Sequence, residues 1–287
     1  MTEITERAEV ERVLGDPRFL VPEADASSPT PSDRFRAGAS RFANGAVHAA
    51  RRRRLDVVLA ALPPGELARL AGSRTRGAIA AGADVSLIAR SVPVAALGEA
   101  LGFGDPDSLA ELVGQVTAHY ASGTATDAAA EDAAIVRLLA SAPARDDAWR
   151  VLLVQLLVQA HAATAALVEG AMRRLEASVD APPTTRELLG ATLRDDSPVP
   201  LTRRMAPDGT VLVLRLDGPD ADAGADMRGV EPRTLAFGAG PRSCPAPHHA
   251  LAIAGAIVDE LRRSGPNSTA SPIRPSNTVE APHADAR

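Results

Sequence analysis

Lysine is missing from this sequence altogether: all 31 basic residues are arginine. Against 36 acidic residues they leave a formal net charge of −5, without the basic excess of a nucleic-acid binder. Aromatic residues make up only 2% of the chain, so a core has to be built from Ala, Val and Leu, whose small volumes suit closely packed helices. A single cysteine, Cys244, excludes an internal disulfide and fits a reducing compartment. The N-terminal MTEITERAEVERVLGD is charged throughout and lacks the apolar run of a secretory signal. The longest apolar run, VLLVQLLVQAHAATAALV, carries two Gln and a His and reads as a buried core helix rather than a membrane span. The expectation is a soluble cytoplasmic protein, with neither a membrane nor a nucleic acid among its partners.

What is present is mostly helical pattern. With 287 residues, 45% hydrophobic, the chain can bury a sizeable core. A short amphipathic helix ends at Gly15, with Pro17 beyond it, and PEADASSPTPSDR reads as a polar, proline-rich loop. Helices are expected over about 47–62, 65–81, 91–101, 106–120, 131–141 and 146–177. Another short one follows APP, with Thr185 as its N-cap and Pro198 as its terminator. TVLVLRLDG reads as a strand buried on both faces, DGPDADAGAD as an acidic turn region, and HHALAIAGAIVDELRR as a helix. The division expected is one domain over 1–264 and a Pro/Ser-rich tail over 265–287.

The chemistry concentrates in FGAGPRSCPAPHHALAIAGAIVDEL, from Phe237 onward. A lone cysteine is usually a small buried hydrophobe. Here it sits in a Gly- and Pro-rich loop, two residues after Arg242 and just ahead of an apolar helix. The positive end of that helix favours a thiolate, and a thiolate is a ligand for soft metals and for haem iron. Cys244 with His248 and His249 lacks the second ligand pair of a zinc site.

FGAGPRSC resembles the haem-ligand loop of the cytochrome P-450 superfamily, Phe-x-x-Gly-x-Arg-x-Cys, and Ala250 also fits; Ala246 stands where the family usually has Gly. VERVLGDPRF is similar to an early helix of that family, RFANGAVHAARRR to its His-x-x-x-Arg segment, and SPVPLTRRMA to the strand after its Glu-x-x-Arg helix. The resemblance implies a mainly α, P-450-like helical fold with a small residual β component, in a shortened form whose N-terminal sheet is absent. It implies haem b (iron protoporphyrin IX) as cofactor, with Cys244 as the iron ligand. His48, Arg52, Arg204 and Arg242 would hold the propionates, and Phe237 and Gly240 would shape the loop.

The same resemblance shows what has changed. The family's central helix carries an acid–alcohol pair that relays protons, and its flanks align with VQAHAATAAL, placing Ala162 and Ala163 there. Thr164 lies one residue later, about 100° round a helix, and takes the alcohol position only in a shifted register. It is the catalytic candidate that remains. The Glu-x-x-Arg glutamate is replaced by Ala191, and Glu187 lies a full two turns before Arg194. The arginines 51–54 form either a docking patch for an acidic electron-transfer partner or a solvated face. Two functions follow. One is a haem-thiolate monooxygenase acting on a small organic substrate, with electrons from a ferredoxin-type partner. The other is a catalytically retired auxiliary protein that binds and activates a partner enzyme.

Overall fold

The computed structural model describes residues 2–143, 146–178, 182–217 and 234–265. Most of the acidic turn region and all but the first residue of the C-terminal tail lie outside the described residues. Ten α-helices and one three-stranded sheet are found among them. Helix α1 (Arg7–Gly15) follows strand β1 (Thr2–Ile4), and Glu6 caps it by accepting from Glu9 N. Its Val10, Val13 and Leu14, at i, i+3 and i+4, are buried on the sheet, against Leu212, Leu214, Leu216 and Leu235. The sheet runs β1–β3–β2, with β3 (Val211–Arg215) parallel to β1 and antiparallel to β2 (Leu201–Met205). Two expectations are corrected here. An N-terminal strand is present, and β3 alternates, burying Leu212 and Leu214 while Val211, Val213 and Arg215 stay half-exposed. A three-stranded sheet with α1 against it has only one covered face, so its central strand shows period two.

The main core is built around α8 (Asp147–Glu176), whose residues 152–158 are buried on every side. It is the one described helix long and apolar enough to cross a membrane, and 61% of its most apolar stretch is buried inside the fold. Packed about it are α5 (Val85–Leu101), α6 (Leu109–Ser122), α9 (Thr185–Asp195) and α10 (Pro247–Ser264), and α10 lies along α4 (Pro64–Ala80). Close approach depends on small residues: a Cβ on Gly170 of α8 would come within 2.5 Å of Thr192 Cγ2 on α9. Helix α3 (Gly45–Ala60) and α7 (Ala128–Ser141) complete the framework.

Three helix starts differ from the pattern reading. The proline-rich stretch contains the beginning of α2 (Pro31–Gly38), because Thr30 accepts from Asp33 N and Pro31 takes the first helical position, where its missing N–H costs nothing. Helix α5 begins before residue 91, because Asp84 caps it and Pro93 lies inside the helix rather than breaking it. Thr184, not Thr185, caps α9 through a reciprocal capping box with Glu187. Buried His119 of α6 joins three elements: its Nδ1 is 2.7 Å from Glu131 Oε2 of α7, and its Nε2 is 3.2 Å from Asp33 Oδ1 of α2.

Candidate functional site

The cysteine loop, described from Thr234 onward, turns twice and enters α10. Thr234 Oγ1 donates to Leu193 O (3.0 Å), tying the start of the loop to the last turn of α9. Gly238 and Gly240 both have φ +67°, left-handed backbone that favours glycine. At Gly240 the chain also presses on the end of α1, since a Cβ there would lie 2.5 Å from Leu14 O. Partly buried Phe237 packs on the main core, and its carbonyl accepts from Cys244 N (2.7 Å), closing the loop on itself. The half-buried Cys244 Sγ accepts from Ala246 N (3.4 Å) at the N-terminal end of α10. Burial pushes its thiol pKa up, while the Ala246 N–H and the Arg52 charge pull the other way. Ala246 has φ −129°, outside the left-handed range that favours glycine, so the residue that departs from the family pattern needs no glycine there.

The four expected basic residues come together. His48 lies among Arg242, Arg52 and Arg204; burial first, then those three charges, hold its pKa down at about 4. Arg204 of β2 is 6% exposed, and burial, with Arg242 and Arg41 beside it, lowers its pKa to about 10. Its Nη1 reaches only neutral acceptors, Thr202 Oγ1 and Arg203 O. Arg52 pairs with exposed Asp56 (2.9 Å) and donates to Ser243 O of the loop (2.7 Å). Among the described residues neither Arg204 nor Arg242 has an ion-pair partner. Arg41 is the cation that the sequence reading missed; its guanidinium stacks on Phe42 and Tyr120, 5.7 Å from each ring centroid. The run 51–54 is divided, for Arg51 donates to Ala37 O and Ala39 O, Arg54 stacks on Trp149 at 5.6 Å, and only Arg53 and Arg54 are exposed.

On α8 the positions aligned with the proton relay are open: Ala162 is exposed and Ala163 half-buried. Thr164 is 3% exposed and turned into the core, so its placement gives the catalytic assignment no support. His161 is half-buried, 3.5 Å from Thr117 Oγ1, and burial, with Arg90 nearby, lowers its pKa. In α9, Glu187 is engaged with Thr184 and Arg194 has Asp195 as its carboxylate neighbour (3.6 Å), so Glu187 and Arg194 do not pair with each other.

A flat, dianionic cofactor with an open coordination position would match this donor set. A soft thiol stands at a helix N-terminus, and beside it are two arginines, one of them nearly fully buried, that have no ion-pair partner among the described residues. The residues present fit haem.

Neither a family model nor a curated protein matches the sequence. Solved structures do match. P450BioI, solved with a hexadec-9Z-enoic acid ligated acyl carrier protein, is 16% identical; the match covers 92% of this chain and 85% of that one, with a TM-score of 0.69. CalO2 is 20% identical over 91% of this chain and 82% of its own, with a TM-score of 0.72. CYP164A2 of Mycobacterium smegmatis is 18% identical over 92% and 84%, with a TM-score of 0.66. At such identities the likeness concerns architecture. The long central helix, the helices packed on it, the small sheet and the loop before the last helix together form the fold of the cytochromes P450.

Proposed function

We propose that the protein is a haem-thiolate oxidoreductase of the P450 monooxygenase type, acting on a small organic substrate. The observation that carries this reading is the pair of arginines without ion-pair partners among the described residues, buried Arg204 and half-buried Arg242, gathered with His48 and Arg52 beside Cys244. Burying an arginine without a counter-charge is costly, and an anionic ligand is what would offset the cost. Cys244 holds the iron, the cluster holds the propionates, and Phe237 and Gly240 fix the loop's shape. A haem bound through a thiolate supplies electron transfer and oxygen activation. The chain's own residues do the rest. Arg52 fastens the loop through Ser243 O, the Ala246 N–H turns toward the sulfur, and the alanines of α8 leave room without offering a proton. Electrons would come from a small protein carrier of the ferredoxin type, and the exposed Arg53 and Arg54 are what α3 offers an acidic one.

The alternative, an auxiliary protein that activates a partner enzyme, is favoured by one feature: α8 presents alanine where the family's proton relay stands. The absorbance spectrum of the reduced, carbon monoxide-treated protein tests the first reading. Wild type should show a thiolate-type Soret band that Cys244→Ala abolishes. A folded wild-type protein that takes up no haem on reconstitution rules the reading out.

A further inference from the structure

The cysteine loop has lost the Glu–Arg brace on α9, yet one side chain ties together three segments around it. Asn44, the residue before α3, accepts from Arg242 Nη2 at its Oδ1 (2.9 Å). The same oxygen accepts from Val21 N (3.0 Å), and its Nδ2 donates to Val21 O (2.9 Å) and to Glu23 Oε1 (3.0 Å). The amide thus pairs in both directions with the backbone of Val21, as a peptide group would. It holds the segment after α1, the entry to α3 and the arginine of the loop in one network. Arg242 Nη2 also donates to the neighbouring Ala43 O. These contacts join residues about two hundred positions apart.

We propose that Asn44 is a positioning residue: it fixes Arg242, and with it the cysteine loop, while its neutral amide leaves the guanidinium charge available to an anionic ligand. The inference rests on the haem-thiolate reading for the identity of that ligand and on the hydrogen bonds alone for the fastening. A carboxylate at position 44 would hold Arg242 at least as firmly but would compete with a propionate for its charge. An amide holds without neutralising. Donation to Val21 O adds what no carboxylate offers, since an ionised carboxylate only accepts.

Amide hydrogen exchange on the full chain without haem reads the fastening directly. Asn44→Ala should speed exchange at Val21, Ser243 and Cys244 by roughly tenfold or more, the scale of one lost charge-assisted bond. The amides of α4 should keep their protection. Asn44→Asp should keep Ser243 and Cys244 protected, because Arg242 retains its acceptor. Haem titration should then show both variants weakened, by roughly ten- to a hundredfold for Asn44→Ala. In the ferric spectrum Asn44→Ala should give a mixture of Soret bands and Asn44→Asp a single thiolate-type band. Unchanged exchange at Ser243 and Cys244 in Asn44→Ala overturns the proposal, and so does haem affinity equal to wild type in Asn44→Asp. Should Asn44→Ala not fold, Arg242→Met replaces it, and loop protection equal to that of Asn44→Asp is then the overturning result. A wild-type chain that binds no haem defeats the functional reading, whereas the exchange data still decide whether Asn44 fastens the loop.

Discussion

Two residues of the basic cluster respond to an anion in opposite ways from their response to its absence. His48 has its pKa held at about 4 in the fold, below its ordinary 6.5, by burial and by Arg242, Arg52 and Arg204. A depressed folded-state pKa means that the unfolded chain takes up the proton first. The stability His48 contributes is therefore complete above about pH 6.5 and is lost as pH falls through about 4. Two carboxylates beside it would raise that pKa and shrink the loss. The melting temperature of the haem-free protein should fall more steeply between pH 6.5 and 4 in wild type than in His48→Gln. Haem loading should flatten the wild-type curve; equal slopes for the two haem-free proteins would exclude His48 as the titrating group. Arg204→Met gives a result of mixed sign. Removing a buried, unpaired guanidinium should leave the haem-free protein as stable or more stable, by roughly 1–3 kcal/mol, and should weaken haem retention. Thermal melts and haem titration of the same variant check the two halves. A variant that loses haem-free stability while keeping haem would show that Arg204 is structural.

At the scale of elements, the loop's two left-handed glycines separate backbone strain from close approach. Gly238 and Gly240 share φ +67°, yet a Cβ on Gly238 would have its nearest neighbour 3.8 Å away, while one on Gly240 would meet Leu14 O at 2.5 Å. Gly238→Ala should cost about 1–2 kcal/mol, the price of a left-handed alanine. Gly240→Ala should cost clearly more, because the atom it meets is backbone at the end of α1. Chemical denaturation of both variants measures the difference, and equal costs would mean that the loop does not press on α1. The same contrast shows what a sequence discloses. The glycine spacing, Arg242 and Cys244 are local, and the apolar spacing in VERVL placed α1 to the residue at its end. The cap of α9 was misplaced by one residue because Thr184 and Thr185 are adjacent and only geometry chooses between them. The pairing of β3 on one face escaped notice because VLVL is apolar at every position, whatever lies above it. Asn44 was invisible: its partners, Val21 and Arg242, are brought to it only by the fold.

Across the whole molecule, the proposed haem-thiolate function predicts a specific failing in oxygen chemistry. Arg52, Arg204, Arg242 and His48 gather beside the thiol, while α8 offers Ala162 exposed and Ala163 half-buried at the positions aligned with the proton relay, and Thr164 faces the core. Alanine carries no proton, and a positioned donor is worth roughly 10²–10⁴ in rate. His161, the nearest titratable side chain on that helix, has its pKa lowered by burial and by Arg90, and Thr117 is its neighbour. The haem-loaded protein should therefore consume reductant slowly with generic substrates and release most of the electrons as hydrogen peroxide. Ala162→Glu combined with Ala163→Thr should raise the fraction of reductant recovered in oxidised product, since exposed Ala162 and half-buried Ala163 lie outside the buried core. Peroxide yield against reductant consumed, measured for wild type and double variant, decides it. Tight coupling in wild type, on a substrate with no hydroxyl, amine or acid of its own, would show that His161 or ordered water supplies the proton. In that case His161→Phe should uncouple the reaction, which separates the side chain from the water.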